Sequence, residues 1–122
     1  MDWKLELVTI PVSNVDRAKT FYVEQAGFVL DHDHLVREGL RFVQLTPPGS
    51  SCSIAIGTGL TESAPGSAQV QLVVADVHAA HEELLARGLD VGDVQTFDWG
   101  SFVFFADPDG NRWAVQQLPV RD

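Results

Sequence analysis

The sequence predicts a single α+β domain built from two copies of a β-α-β-β-β module, and three features point to it. Stretches with two-residue apolar alternation are interleaved with two amphipathic helical segments. Each helical segment is bracketed by a capping residue and a glycine, Asn14 with Gly27 and Asp76 with Gly88. The spacing downstream then repeats, since Gly27 to Gly49 and Gly88 to Gly110 are both separations of 22 positions. With 122 residues, 45% of them apolar, the chain is sized for one buried core rather than two.

In the first copy, residues 5–12 put Val8, Ile10 and Val12 on one face and Leu7, Thr9 and Pro11 on the other, the period of a half-buried strand. Asn14 offers a side-chain oxygen to the free N–H groups of a helix over residues 15–26, whose apolar stripe is Val15, Ala18, Tyr22 and Ala26. Gly27 supplies the left-handed residue that ends it. Strands follow over 28–35 and 40–46, joined by a turn at Arg37, Glu38 and Gly39; a third covers 52–56 after the Pro47-Pro48-Gly49 turn. The second copy repeats the order: strand 69–75, cap Asp76, helix 77–87, stop Gly88, strands near 91–97 and over 102–106, turn Asp107-Pro108-Asp109-Gly110, strand 112–118. One domain over 1–122 is therefore expected, with module one at about 4–57, a Gly-, Ser-, Thr-, Ala- and Pro-rich linker at about 58–68, and module two at about 69–118.

Charge and composition narrow the function classes. The net charge of −9 comes from 17 acidic and 8 basic side chains with no basic stripe, so a phosphate backbone would be repelled over most of the surface and nucleic acid is not an expected partner. The longest mainly apolar stretches, 70–75 and 102–106, fall well short of the ~20 residues of a membrane span, and Met1-Asp2-Trp3-Lys4 does not open a targeting leader. A cytoplasmic protein without membrane association is the expectation. Cys52 is the only cysteine, which leaves no partner for an intrachain disulfide and no cysteine cluster for zinc.

Ile10, Val12 and Asn14, followed by Arg17-Ala18 and Phe21-Tyr22, resemble the first-module signature of the vicinal oxygen chelate superfamily, which includes glyoxalases, bleomycin-resistance proteins and extradiol dioxygenases. The run Phe105-Ala106-Asp107-Pro108-Asp109-Gly110-Asn111 resembles the second-module signature, a strand running into D-P-D-G-N. The resemblance implies that the paired modules form a cupped mixed sheet with helices on the convex face and a site inside the cup. It also implies where metal enzymes of the family carry their ligands: in this chain Leu7, Ser53 or Ala55, Gln69 and Ala114. None of these is a carboxylate, imidazole or thiolate, and a divalent ion needs several such ligands to replace its hydration shell. No metal and no cofactor is therefore expected.

Other candidate groups are sparse. His32 and His34 share a strand face, a spacing that metal sites use, yet no third ligand is assigned by the sequence. His78 and His81 fall in the first turns of the second helix and are expected at the surface. Cys52 shares strand parity with Ile54 and Ile56 and is expected to be a buried, inert thiol matching Trp113 of the other copy. Glu38 and Asp98 are loop carboxylates with no assigned catalytic role.

Strand parity separates a core set from a cup set. Val8, Ile10, Val12, Val43, Leu45, Ile54, Ile56, Val70, Leu72, Val74, Val103, Phe105, Trp113 and Val115 point to the helices. Leu7, Thr9, Phe42, Gln44, Ser53, Ala55, Gln69, Gln71, Phe102, Phe104, Ala114 and Gln116 line the cup, with Phe97 and Trp99 on a loop at its rim. This set reads as aromatics and neutral amides without an ionisable group, a lining that suits a planar or amphipathic organic molecule; the same aromatics also suit a filled cup or a dimer contact. The expectation is a metal-free protein that binds a small organic molecule, similar to the bleomycin-resistance type, whose members are dimers. The alternative is a glyoxalase-like lyase or isomerase, or an extradiol-type dioxygenase, using a divalent metal held by displaced ligands such as His32, His34 or Glu38.

Overall fold

The computed structural model describes residues 1–119; residues 120–122, the end of the expected domain, lie outside the described residues. Module one runs β1 (Leu7–Thr9), α1 (Val15–Thr20), a π-helical turn (Phe21–Gln25), β2 (Val29–Arg37), β3 (Leu40–Thr46) and β4 (Ser53–Thr58). Module two runs β5 (Gln69–Val73), α2 (Val77–Ala86), β6 (Gln95–Phe97), β7 (Gly100–Ala106) and β8 (Arg112–Gln117). Each module makes a four-stranded mixed sheet, in the orders β1-β4-β3-β2 and β5-β8-β7-β6. In both, the first strand pairs in parallel with the last and the remaining pairs are antiparallel.

The punctuation works as its chemistry requires. Asn14 Oδ1 accepts from the Arg17 amide at 3.0 Å, and Asp76 Oδ1 accepts from the His78 and Ala79 amides at 3.0 and 3.1 Å. Gly27 and Gly88, at φ 76° and 83°, take the left-handed conformation after the two helices. The first helix is not α-helical throughout, as its stripe implied. After Thr20 the chain widens into a π turn, closed by the Ala26 amide on the Phe21 carbonyl at 3.0 Å, so that the consecutive residues Phe21 and Tyr22 are both buried.

Most strand boundaries shift by a residue or two from the sequence expectation, and three of the differences bear on the packing. β1 is only three residues long because Pro11, which has no N–H, cannot extend the ladder beyond Ile10. β4 starts at Ser53 and continues to Thr58, taking the first position of the expected linker. Of the stretch near 91–97 only Gln95–Phe97 is a strand; Leu89 and Val91 instead plug the core.

The core residues assigned by parity all meet in one hydrophobic cluster or pack against it, with Val43, Leu45, Ile54 and Ile56 from one sheet and Val103, Phe105, Trp113 and Val115 from the other. Aromatics knit the modules: Trp113 packs edge-on to Phe28 and Tyr22 at 5.4 and 5.7 Å and stacks on Phe105 at 5.9 Å. Because both sheets share this core, each turns its other face away from it.

The D-P-D-G-N turn is the polar clamp between modules. Asp107 Oδ1 accepts from the Asp109 and Asn111 amides, while Oδ2 accepts from Tyr22 Oη at 2.7 Å and Asn111 Nδ2 at 2.8 Å. Asn111 also donates to the Pro11 carbonyl at 2.8 Å and accepts from the Ala68 amide at 2.9 Å. Trp113 Nε1 donates to Tyr22 Oη at 3.0 Å, so every polar atom of this buried cluster has a partner. Burial, with the Asp107 carboxylate as its acceptor, pushes the Tyr22 hydroxyl far above the usual phenol range.

Candidate functional site

The cup face of module two forms an open hollow of about 640 Å³. Gln69 and Gln71 enter it from β5, Arg112 and Ala114 from β8, and Phe104 and Ala106 from β7. The register explains the grouping: Gln71 pairs with Ala114 and Gln69 with Arg112, while Phe104 lies across from Ala114 on the other side. Two alanines leave the floor low, and Phe104, 43% exposed, presents its ring to whatever lies above.

Beside the hollow an aromatic row continues across the sheet. Phe104 stacks on Phe102 at 5.7 Å, Phe102 meets Phe97 edge-on at 5.9 Å, and Phe97 stacks on Trp99 at 5.0 Å. Phe97 is thus the last residue of β6 rather than a loop residue, and Trp99 sits in the turn between β6 and β7. An amide relay ties that turn to the hollow. Gln116 Nε2 donates to the Trp99 carbonyl at 2.9 Å, and Gln71 Nε2 donates to Gln116 Oε1. Gly100, at φ 146°, permits this approach: a Cβ there would sit 2.8 Å from Gln116 Nε2 and 2.7 Å from the Gln117 carbonyl oxygen.

The cup face of module one carries Leu7 and Thr9 on β1, Phe42 and Gln44 on β3, and Ser53 and Ala55 on β4. The sequence reading omitted what β2 adds. His32 and His34 pair with Gln44 and Phe42, so both imidazoles lie on this face, stacked at 5.6 Å. Thr46 hydrogen-bonds the Asp31 carboxylate, and its hydroxyl is 2.6 Å from Ser53 Oγ; with the Thr46 proton given to Asp31, Ser53 donates to Thr46. Within one chain these residues share a sheet with one another, not with the hollow of module two.

Several expectations are corrected. The cup faces do hold ionisable groups, namely His32, His34, Asp31 and Arg112; Arg112 shares the parity of Ala114 and Gln116, a signal already present in the sequence. Cys52 is partly exposed and precedes β4 rather than sitting in its core face. The strand counterpart of Trp113 is Ile54, since Val70 pairs with Trp113 as Val8 pairs with Ile54. By the same register Ala55, opposite Gln44, matches Ala114, opposite Phe104. Of the two positions left open by the sequence, Ser53 and Ala55, the register selects Ala55; counting from the turn glycine points to Ser53 because three residues separate Gly49 from its strand and one separates Gly110 from Arg112. Glu38 and Asp98 sit exposed in hairpin turns; His78 is exposed and His81 partly so on α2.

The family's metal does not fit the residues at its positions. Leu7, Gln69 and Ala114, with either Ser53 or Ala55, offer one amide oxygen and at most one hydroxyl. Among the described residues no three of His, Cys, Asp and Glu are grouped so as to hold an ion.

This fold, duplicated, mixed-sheeted and with a cup face on each module, is that of the Glyoxalase/Bleomycin resistance protein/Dioxygenase superfamily, whose family model matches residues 4–115; the chain belongs to it. Among solved structures it is similar to TnmS3, an antibiotic binding protein from Streptomyces sp. CB03234, with 33% identity, 97% of this chain and 98% of that one covered, and a TM-score of 0.85. A glyoxalase/bleomycin resistance protein from the same organism is 35% identical, with coverage of 93% and 100% and a TM-score of 0.80. Among curated proteins it is similar to the uncharacterized YetH of Bacillus subtilis (strain 168), 25% identical over 90% of this chain and 94% of that one. No helix among the described residues is long and apolar enough to cross a membrane.

Proposed function

We propose that this protein binds and sequesters a small planar or amphipathic organic molecule without a metal, in the hollow on the cup face of module two. The observation that carries this reading is the hollow itself: Phe104 faces two low alanines and the amides of Gln69 and Gln71 flank them, with Gln69 and Ala114 standing where metal enzymes of the family keep ligands. Aromatic area gives affinity and the amides give orientation. The likeness to TnmS3 supports the same reading, since that protein is described as binding an antibiotic.

The working unit in this reading is a homodimer. β2 is exposed along all nine residues, with Leu35 at 72% and Val36 at 58%, and Phe97 and Trp99 are exposed at 40% and 63%. A long exposed edge strand and a flat aromatic pair are surfaces that proteins cover. A second copy laid over the hollow would bury both and complete the lining with Phe42, Gln44 and Thr9 of its own module-one face.

The experiment is calorimetric titration with a panel of planar aromatic compounds, before and after dialysis against EDTA. Binding near one molecule per chain that survives chelation is expected; binding that appears only with added divalent metal would overturn the metal-free reading and favour the enzyme alternative.

A further inference from the structure

We infer that the molecule bound in this hollow carries an anionic oxygen, a carboxylate or acidic phenolate, gripped by Arg112, next to a hydrogen-bond donor that Gln71 Oε1 accepts. This rests on the binding reading above and names the chemical class of its ligand.

The cation comes first. In a chain of net charge −9, Arg17, Lys19, Arg41 and Arg87 are each tied to carboxylates, at 2.7 to 3.6 Å, and of the basic residues left without an ion pair among the described residues, Lys4, Arg37 and Arg112, Arg112 is the one that lines the hollow. Arg112 makes no ion pair with any described residue, and no carboxylate lines its hollow. A guanidinium presents a planar fork of donors that matches a carboxylate in two parallel hydrogen bonds. The net negative charge does not contradict this, because its field is screened within about 8 Å at physiological salt while a direct contact is not.

The amide relay supplies the second half. The Trp99 carbonyl can only accept, so Gln116 must turn Nε2 toward it, which leaves Gln116 Oε1 as the acceptor for Gln71 Nε2. The flip of Gln71 is thereby fixed, and its Oε1 is left as an acceptor on the cup face. Gln71 lies opposite Ala114 and Arg112 opposite Gln69, one pleat along the same strand pair, so acceptor and cation flank one edge of the surface that Phe104 offers. An aromatic with a ring N–H beside an acid group, as in an indole-2-carboxylate, satisfies both at once.

Three matched probes test this by calorimetry: indole-2-carboxylate, its neutral isostere indole-2-carboxamide, and benzofuran-2-carboxylate, which lacks the ring N–H. The indole acid is expected to bind about tenfold or more tighter than the amide, as a charge-assisted contact provides, and a few-fold tighter than benzofuran-2-carboxylate. Arg112→Gln should shrink the acid's margin over the amide to within about twofold, and Arg112→Lys should keep part of it. Arg112 is exposed, so circular dichroism of both variants is expected to match the parent. Equal binding of acid and amide, or a margin that survives in Arg112→Gln, overturns the inference and leaves the binding reading standing. Failure of all three probes to bind overturns both.

Discussion

Tyr22 donates a 2.7 Å hydrogen bond to Asp107 across 85 positions of chain, joining the helix of one module to the signature turn of the other. The contact is buried, and Tyr22 Oη also receives the Trp113 indole N–H at 3.0 Å. Two motifs that look like separate family signatures are therefore two halves of one structural joint.

Removing that hydroxyl tests the joint. Tyr22→Phe deprives the Asp107 carboxylate of a donor and Trp113 Nε1 of its acceptor, and leaving buried polar groups short of partners costs about 1–3 kcal/mol. Urea unfolding should show a lowered midpoint with little change in slope. Ligand affinity should not change, because Tyr22 belongs to the core and does not line the hollow.

Acid stability has a defined contributor in Asp33. Hydrogen bonds from Arg41 and then Lys19 hold its carboxyl well below the usual carboxylate range. A carboxylate depressed in the folded state stabilises fully above its unfolded value near ~3.9 and loses that contribution as the pH falls below it. Unfolding curves from pH 7 to pH 3 should show stability dropping at the acid end, and Asp33→Asn should flatten that part of the drop while lowering stability at pH 7.

Association through the exposed aromatic pair predicts a change of mass. Phe97→Ser with Trp99→Ser removes the stacked side chains but keeps the Trp99 carbonyl that Gln116 holds. Sedimentation velocity should find a dimer for the parent and a monomer for the double variant, with weaker ligand binding in the monomer. A parent that sediments as a monomer at ligand-binding concentrations would contradict the dimer.

The fold was legible because its signals are local and duplicated. Asn14, Asp76, Gly27 and Gly88 mark the helices wherever the chain goes next, and the two-residue period assigned the core strand residues correctly. The π turn at Phe21 was not legible, since no composition distinguishes it from an α-helix; packing against Phe105 and Trp113 decides it. Register was half legible: parity found the face and offered Ser53 or Ala55, but the extra residues after Gly49 left the choice of Ala55, the counterpart of Ala114, to the strand pairing. Arg112 was legible in the sequence by its shared parity with Ala114 and Gln116, although it stands at none of the family's ligand positions. The fixed orientation of Gln71 was out of reach, as it depends on a carbonyl 28 positions away in another hairpin.

The measurement that bears most directly on the central claim places the bound molecule. Ala114→Trp would fill the floor of the hollow opposite Phe104 while altering no core-face residue. Calorimetric titration of this variant with an aromatic compound that binds the parent should show affinity lowered by about a hundredfold or lost, with an unchanged unfolding midpoint. Parent-like affinity in Ala114→Trp would contradict the claim that this hollow is the binding site.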